Sequence, residues 1–156
     1  MQAAEGCSVY VLDTGSTDNT VELLKKHGAH VFQKTIDPWR FDTARNEALA
    51  LVPDDVDVCV SIDMDERLDP GWQDKLKEQW KGNVGSYFYI AEWADEACTI
   101  PSVQSPRTRL HSRHGYEWHR RIHEVIRPLP GVEQVWCDTD IVVKHYQKGG
   151  QRDYSP

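Results

Sequence analysis

Short apolar runs alternate with amphipathic stretches through the first half of the chain. Ser8 to Leu12 predicts a buried strand that stops at Asp13. Asn19 to His27 predicts a short helix, with Asn19 and Glu22 as a capping box and Ser16 and Thr17 as rival caps. Lys25, Lys26 and His27 suit the negative end of that helix, and Gly28 suits the position after it. Ala29 to Phe32 predicts a second strand. Over 41–52, Phe41, Ala44, Ala48 and Leu51 share one helical face; Asp42 or Asp37 starts the segment and Pro53 ends it. Val56 to Ile62 is almost continuously apolar and β-branched, which predicts a strand covered on both faces. Asp69-Pro70 then opens a helix carrying Trp72, Leu76 and Trp80 one turn apart. This β-α-β-α-β-α order argues for an α/β fold whose sheet is mostly parallel, with crossover helices.

The texture changes after Gly82. "GSYFYIAEW" is aromatic and strand-like, "RTRLHSRHGYEWHRRIHEVI" predicts two strands around a turn at His114-Gly115, and "DIVVKHY" predicts a last strand. The C-terminal half therefore reads as mixed or antiparallel β, β-rich with long loops. The final "QKGGQRDYSP" has no core pattern and is expected to be loose. No repeat and no low-complexity segment interrupts the chain.

Composition narrows the class. At 156 residues the expectation is a single domain with a real core. A net charge of −7 disfavours duplex nucleic acid as a partner, because its binding needs basic surface. No apolar run approaches the roughly 20 residues of a membrane span. Cys7, Cys59, Cys98 and Cys137 are scattered without a C-x-x-C pair, which predicts a reducing, cytoplasmic setting without disulfides.

Three groups of residues could carry chemistry. In "VLDTGSTDNT", Asp13 ends a strand and runs into Gly15, Ser16, Thr17 and Asp18. A carboxylate there can accept hydrogen bonds from a ribose or a base, and the helix start offers N–H groups. The plainer reading is a capped turn in which Asp13 only satisfies backbone donors. In "SIDMDER", Asp63 and Asp65 stand two residues apart past the most hydrophobic strand, with Glu66 as a third acid. Their repulsion is offset well by a hard divalent cation, Mn²⁺ or Mg²⁺, whose other ligands come from water and substrate phosphates; the plainer reading is a solvated acidic turn. In "WHRRIHE", an acid and an imidazole, Glu124 and His123, are adjacent within a strand-like run. Five of the seven histidines follow residue 110 (His111, His114, His119, His123, His145), but their spacing fits no zinc pattern.

Taken in order, "VLDTGSTDNT", "FDTARNEAL", "SIDMDE" and "RIHE" resemble the family 2 glycosyltransferases of GT-A fold, over about Val9 to His145. The resemblance implies a GT-A-like, Rossmann-like domain. It further implies a metal-dependent enzyme that moves a sugar from a nucleotide-sugar donor to an acceptor hydroxyl, with inversion. Asp13 would contact the donor nucleoside beside the turn of Gly15, Ser16 and Asp18, and Arg45 would help hold the donor. Asp63 and Asp65 would bind Mn²⁺ or Mg²⁺ on the diphosphate. His123 would be a further ligand or an acceptor contact, and Glu124 the general base. By position alone, Asp95 and Glu96, in the loop after the aromatic strand, are the next candidates for the base.

The chain departs from that family at its start. Members normally carry one more strand and helix, yet only about eight residues precede Val9. The expectation is a domain over 1–156 shortened at both ends, with a half-built base pocket and an open sheet edge through which two copies pair. An alternative is a nucleotide-binding or assembly module of the same fold without turnover. A third reading, an aspartate-nucleophile phosphohydrolase, would need an acid two residues after Asp13, where the chain has Gly15.

Overall fold

A computed structural model describes residues 7–93 and 101–147. Asp95, Glu96, Cys98 and the C-terminal segment singled out above lie outside the described residues. The elements in chain order are β1 (Tyr10–Asp13), α1 (Thr20–Lys26), β2 (His30–Gln33), α2 (Phe41–Ala50), β3 (Val58–Val60), β4 (Glu66–Leu68), α3 (Trp72–Gln79), β5 (Val84–Trp93), β6 (Pro101–Ser112), β7 (Tyr116–His119), β8 (Val125–Pro128) and β9 (Trp136–Gln147). They gather into two compact units, Met1–Asp57 with Arg113–Gly131, and Val58–Ser112 with Val132–Pro156. No described helix is long and apolar enough to cross a membrane.

In the first unit β1 and β2 pair in parallel, Tyr10 opposite His30 through Asp13 opposite Gln33. Helix α1 starts at Asn19 without the expected capping box. The cap is the Asp18 carboxylate, which accepts the Thr20 N–H at 3.0 Å. On α2 the expected apolar face holds only in part. Phe41 is 43% exposed while Asp42 is buried. Asp42 tolerates burial because Arg40 donates to both its oxygens, at 2.9 and 2.7 Å, and the Thr43 N–H donates at 2.8 Å. Strands β7 and β8 form an antiparallel hairpin, with Trp118 opposite Ile126, both buried.

That hairpin corrects the expectation for residues 116–126. They do not run on as one strand. Arg120 and His123 adopt positive φ, 82° and 56°, and two left-handed residues turn the chain back on itself. His123 and Glu124 therefore sit on the hairpin loop. The turn at Gly115 is present, but the strands beside it do not pair with each other: β6 bonds to β3 and β5, and β7 to β8.

The second unit is a five-stranded mixed sheet in the order β3-β6-β5-β9-β4. β5 and β9 are parallel, and the other pairs are antiparallel. So β3, expected in a parallel sheet, finds its backbone partners on β6 instead. It is shorter than expected and half-buried, because the chain leaves it at Ser61 for the acidic turn. β4 was hidden inside that acidic stretch. Tyr87, Leu110, Ile141 and Val143 form the core, and Trp72, Leu76 and Trp80 pack against it as the helical spacing predicts. Cys7, Cys59 and Cys137 carry thiols outside any disulfide.

The β5–β9 pairing slips between Ser86 and Phe88. Side chains bind the irregular stretch: Ser86 Oγ donates to Asp138 at 3.0 Å, and Thr139 Oγ1 donates to the Ser86 carbonyl at 2.9 Å. Gly85 lies so close to β9 that a Cβ there would meet the Cys137 carbonyl oxygen at 2.4 Å and the Trp80 ring at 3.1 Å. Backbone cannot step aside as a side chain can. Gly85→Ala is expected to destabilise the fold by about 1–3 kcal/mol, the usual cost of overpacking. Thermal denaturation reads this as a melting temperature lower by several degrees; an unchanged value would mean that β9 is not held this close.

Candidate active site

Asp13 is the buried last residue of β1. Both its oxygens receive the Ser16 N–H at 3.3 Å, and Gln33 Nε2 donates to Oδ2 at 3.2 Å. A hydrogen bond from the Ser16 side chain leads in holding this carboxyl below its ordinary range, against the opposing effect of burial. Gly15 has φ of 134° with open space around it, so the turn needs glycine for its backbone conformation. Asp18 is also lowered, first by its bond to Thr20. The contacts made by Asp13 and Asp18 are thus those of a capped turn. A carboxylate accepts up to about four hydrogen bonds, so this role and ligand contact are compatible.

Arg45 projects from α2 onto the β7–β8 hairpin. Its Nε donates to Glu124 Oε1 at 2.6 Å, with both side chains largely buried, and its guanidinium lies 4.9 Å from the centre of the Trp118 ring. The next residue, Asn46, acts like a strand neighbour: its Nδ2 donates to the Trp118 carbonyl at 2.8 Å, and its Oδ1 accepts the Trp118 N–H at 2.7 Å. Glu124 therefore pairs with Arg45 on another element, rather than with Arg120 or Arg121 beside it. Asn46 and Trp118 carried no signal beyond their motif neighbours, since their contact spans 72 positions.

The acidic turn belongs to the second unit. Ser61 N–H donates to the Arg109 carbonyl at 3.0 Å, which fixes the end of β3 to β6. Asp63 N–H then donates to Glu66 Oε2 at 2.7 Å, while Glu66 N–H donates back to the Asp63 carbonyl at 3.0 Å. Glu66 is buried, and burial pushes its carboxyl up while the Asp63 N–H pulls the other way. Arg109 faces Asp63 with Nη1 to Oδ1 at 3.3 Å and Nη2 to Oδ2 at 3.2 Å. Asp65 Oδ2 lies 2.7 Å from His145 Nε2. His145 stands opposite Glu66 across the β4–β9 pair, so strand register brings it to the acids.

Among the described residues, no three His, Cys, Asp or Glu side chains gather as a metal site. What the turn does offer is carboxylates, the ligand type that suits Mg²⁺ and Mn²⁺, with the Asp65 carboxylate hydrogen-bonded to the His145 imidazole. His145 meets Asp65, and His123 is exposed on the β7–β8 loop.

The family pattern described as glycosyl transferase family 2 matches residues 2–123. The chain belongs to that family. This glycosyl transferase family 2 protein thereby takes the family's GT-A α/β fold, and the family points to glycosyltransferase activity with a nucleotide-sugar donor, commonly with a divalent metal. Asp13, Arg45, Asp63, Asp65 and Arg109 fall inside the matched span, and Glu124 and His145 fall beyond it. Membership also sets aside the phosphohydrolase reading. No curated protein matches the chain.

Asp42 offers a test of how the Arg45-bearing helix begins. The Arg40 hydrogen bonds lower its carboxyl from 3.8 to about 2. A folded-state value below the unfolded one stabilises above 3.8 and is lost as pH falls towards 2. Asp42→Asn is expected to lower the melting temperature at pH 7, with the deficit closing as pH falls through that window. A deficit constant with pH would show that the ion pair contributes nothing.

Proposed function

We propose that the chain is a metal-dependent glycosyltransferase that moves a sugar from a nucleotide-sugar donor to an acceptor hydroxyl with inversion. The observation that carries this reading is the acidic turn, where Asp65 meets His145 at 2.7 Å on a loop tied by Glu66. Asp13, with the turn of Gly15, Ser16 and Asp18, takes the nucleoside. Arg45 takes the donor as a fixed cation. Asp63, Asp65 and His145 hold Mn²⁺ or Mg²⁺, the remaining ligands coming from the donor diphosphate. The metal ion, when bound, supplies positive charge against the charge that develops on the departing diphosphate. His123 is kept for the acceptor side. A homodimer completes the proposal.

A thermal-shift series of nucleoside diphosphates with and without Mn²⁺ tests it. A ligand at about 100 times its Kd adds about 2.7 kcal/mol of stability. Asp65→Asn is expected to abolish the Mn²⁺-dependent part of the shift while the ligand-free chain melts as before. Equal shifts in parent and variant would remove Asp65 from the site.

Glu124 has two roles open to it. Its ion pair with Arg45 supports a positioning role. A general base must reach the acceptor hydroxyl directly or through one water. Glu124→Gln separates them. Loss of transfer with donor affinity intact marks the base. Transfer, donor affinity and melting temperature falling together mark the Arg45 anchor. Parent-like transfer in a folded variant excludes both.

One observation favours a second reading, a nucleotide-binding module without turnover: the Asp63 carboxylate is turned to Arg109. Sugar transfer by the purified chain decides between the two.

A further inference from the structure

We propose that Arg109 is a diphosphate-binding residue, and that it holds Asp63 away from a bare metal ion until a diphosphate is present. The inference rests on the metal reading of the acidic turn. Three observations carry it.

The first is placement. Arg109 is locked into β6, and its own carbonyl accepts the Ser61 N–H at 3.0 Å two residues before Asp63. The guanidinium is therefore fixed at the root of the turn. Its side chain is 18% exposed and that of Asp63 is 42% exposed. The cation lies behind, and the carboxylate faces outward where a ligand arrives.

The second is the quality of the ion pair. Arg109 meets Asp63 at 3.2 and 3.3 Å, whereas Arg45 meets Glu124 at 2.6 Å and Arg40 meets Asp42 at 2.7 Å. Charge-assisted pairs are strong at about 2.7–2.9 Å. The Arg109 fork on Asp63 is longer than either of those pairs.

The third is charge. A guanidinium and a divalent cation repel each other when both use one carboxylate. A diphosphate removes the conflict, because it carries oxygens enough to bind the cation on one side and the planar guanidinium on the other. Glu66 does not take this part, because its carboxylate is buried beneath the turn on the Asp63 N–H. The site accordingly takes metal and diphosphate together more tightly than either alone.

Calorimetric titration of the full chain with Mn²⁺ alone, inorganic pyrophosphate alone, and pyrophosphate at saturating Mn²⁺ tests this. In Arg109→Gln, affinity for Mn²⁺ alone should rise about threefold or more, and affinity for pyrophosphate with Mn²⁺ should fall about tenfold or more, the loss of one charge-assisted contact. Opposite signs are the signature. Loss of both together, or unchanged pyrophosphate affinity, overturns the proposal. Asp63→Asn releases the guanidinium and should tighten metal-free pyrophosphate; no gain there also overturns it, whether or not the Arg109 variant folds. Asp65→Asn separates the underlying reading: if it binds Mn²⁺ as the parent does, the metal site is wrong while the Arg109 result on pyrophosphate stands.

Discussion

The hydrogen bond from the Asp63 backbone to the Glu66 carboxylate, 2.7 Å long, is the constraint on which the acidic turn depends. A carboxylate that is 5% exposed is costly unless donors meet it. Asp63 N–H meets it, and the return bond from Glu66 N–H closes the turn from both ends. Removing such a partner from a buried group costs about 1–3 kcal/mol, a large share of what holds a three-residue strand. β4 is that strand, and its pairing with β9 puts His145 opposite Glu66. One buried acid thus fixes the turn, the strand after it and the imidazole that meets Asp65.

The first unit follows the same logic with other groups. The β7–β8 loop carries two left-handed residues, Arg120 and His123, each costing on the order of 1–3 kcal/mol. The loop keeps that shape because α2 grips it. Arg45 binds Glu124, Asn46 binds both backbone groups of Trp118, and the Phe41 N–H donates to the Arg121 carbonyl at 3.3 Å. Consecutive residues of one helix, Arg45 and Asn46, therefore do different work. Asn46 holds the strand, and Arg45 is held by the loop. The spacing that looks like a ligand motif is also a packing motif.

What could be read from the sequence divides along the same line. Local pattern placed α1, α2, α3, β1, β2 and β5 within a few residues, because helical spacing and apolar runs are short-range signals. The Trp72, Leu76 and Trp80 face was legible for that reason and packs as expected. Pairing was not legible. Nothing in "VDVCVSID" says that it will bond antiparallel to a strand about fifty residues later, and nothing in "DERL" says that it is a strand at all. The break at Arg120 was hidden because residues other than glycine rarely take positive φ. Asp13, Asp63 and Asp65 stood out as acids at strand ends, a pattern visible locally. Arg109 and His145 did not. Each reaches the acids through sheet register, 46 and 80 positions away.

Arginine appears here in two states that suit two kinds of work. Arg45 is pinned at 2.6 Å to a largely buried carboxylate and lies over an indole ring, so its charge cannot wander. A fixed cation stabilises a bound anion without reorganising, which is where a preorganised site gains over water. Arg109 is pinned at its backbone, and its tip faces a half-exposed carboxylate at 3.2 Å. A fully paired turn, with Asp63 bound as tightly as Glu124, would be more rigid but would compete harder with any incoming cation. A turn without Arg109 would leave Asp63 and Asp65 repelling each other in the empty state. The Arg109 pair lies between these two costs: it sets a cation against Asp63 at 3.2 Å.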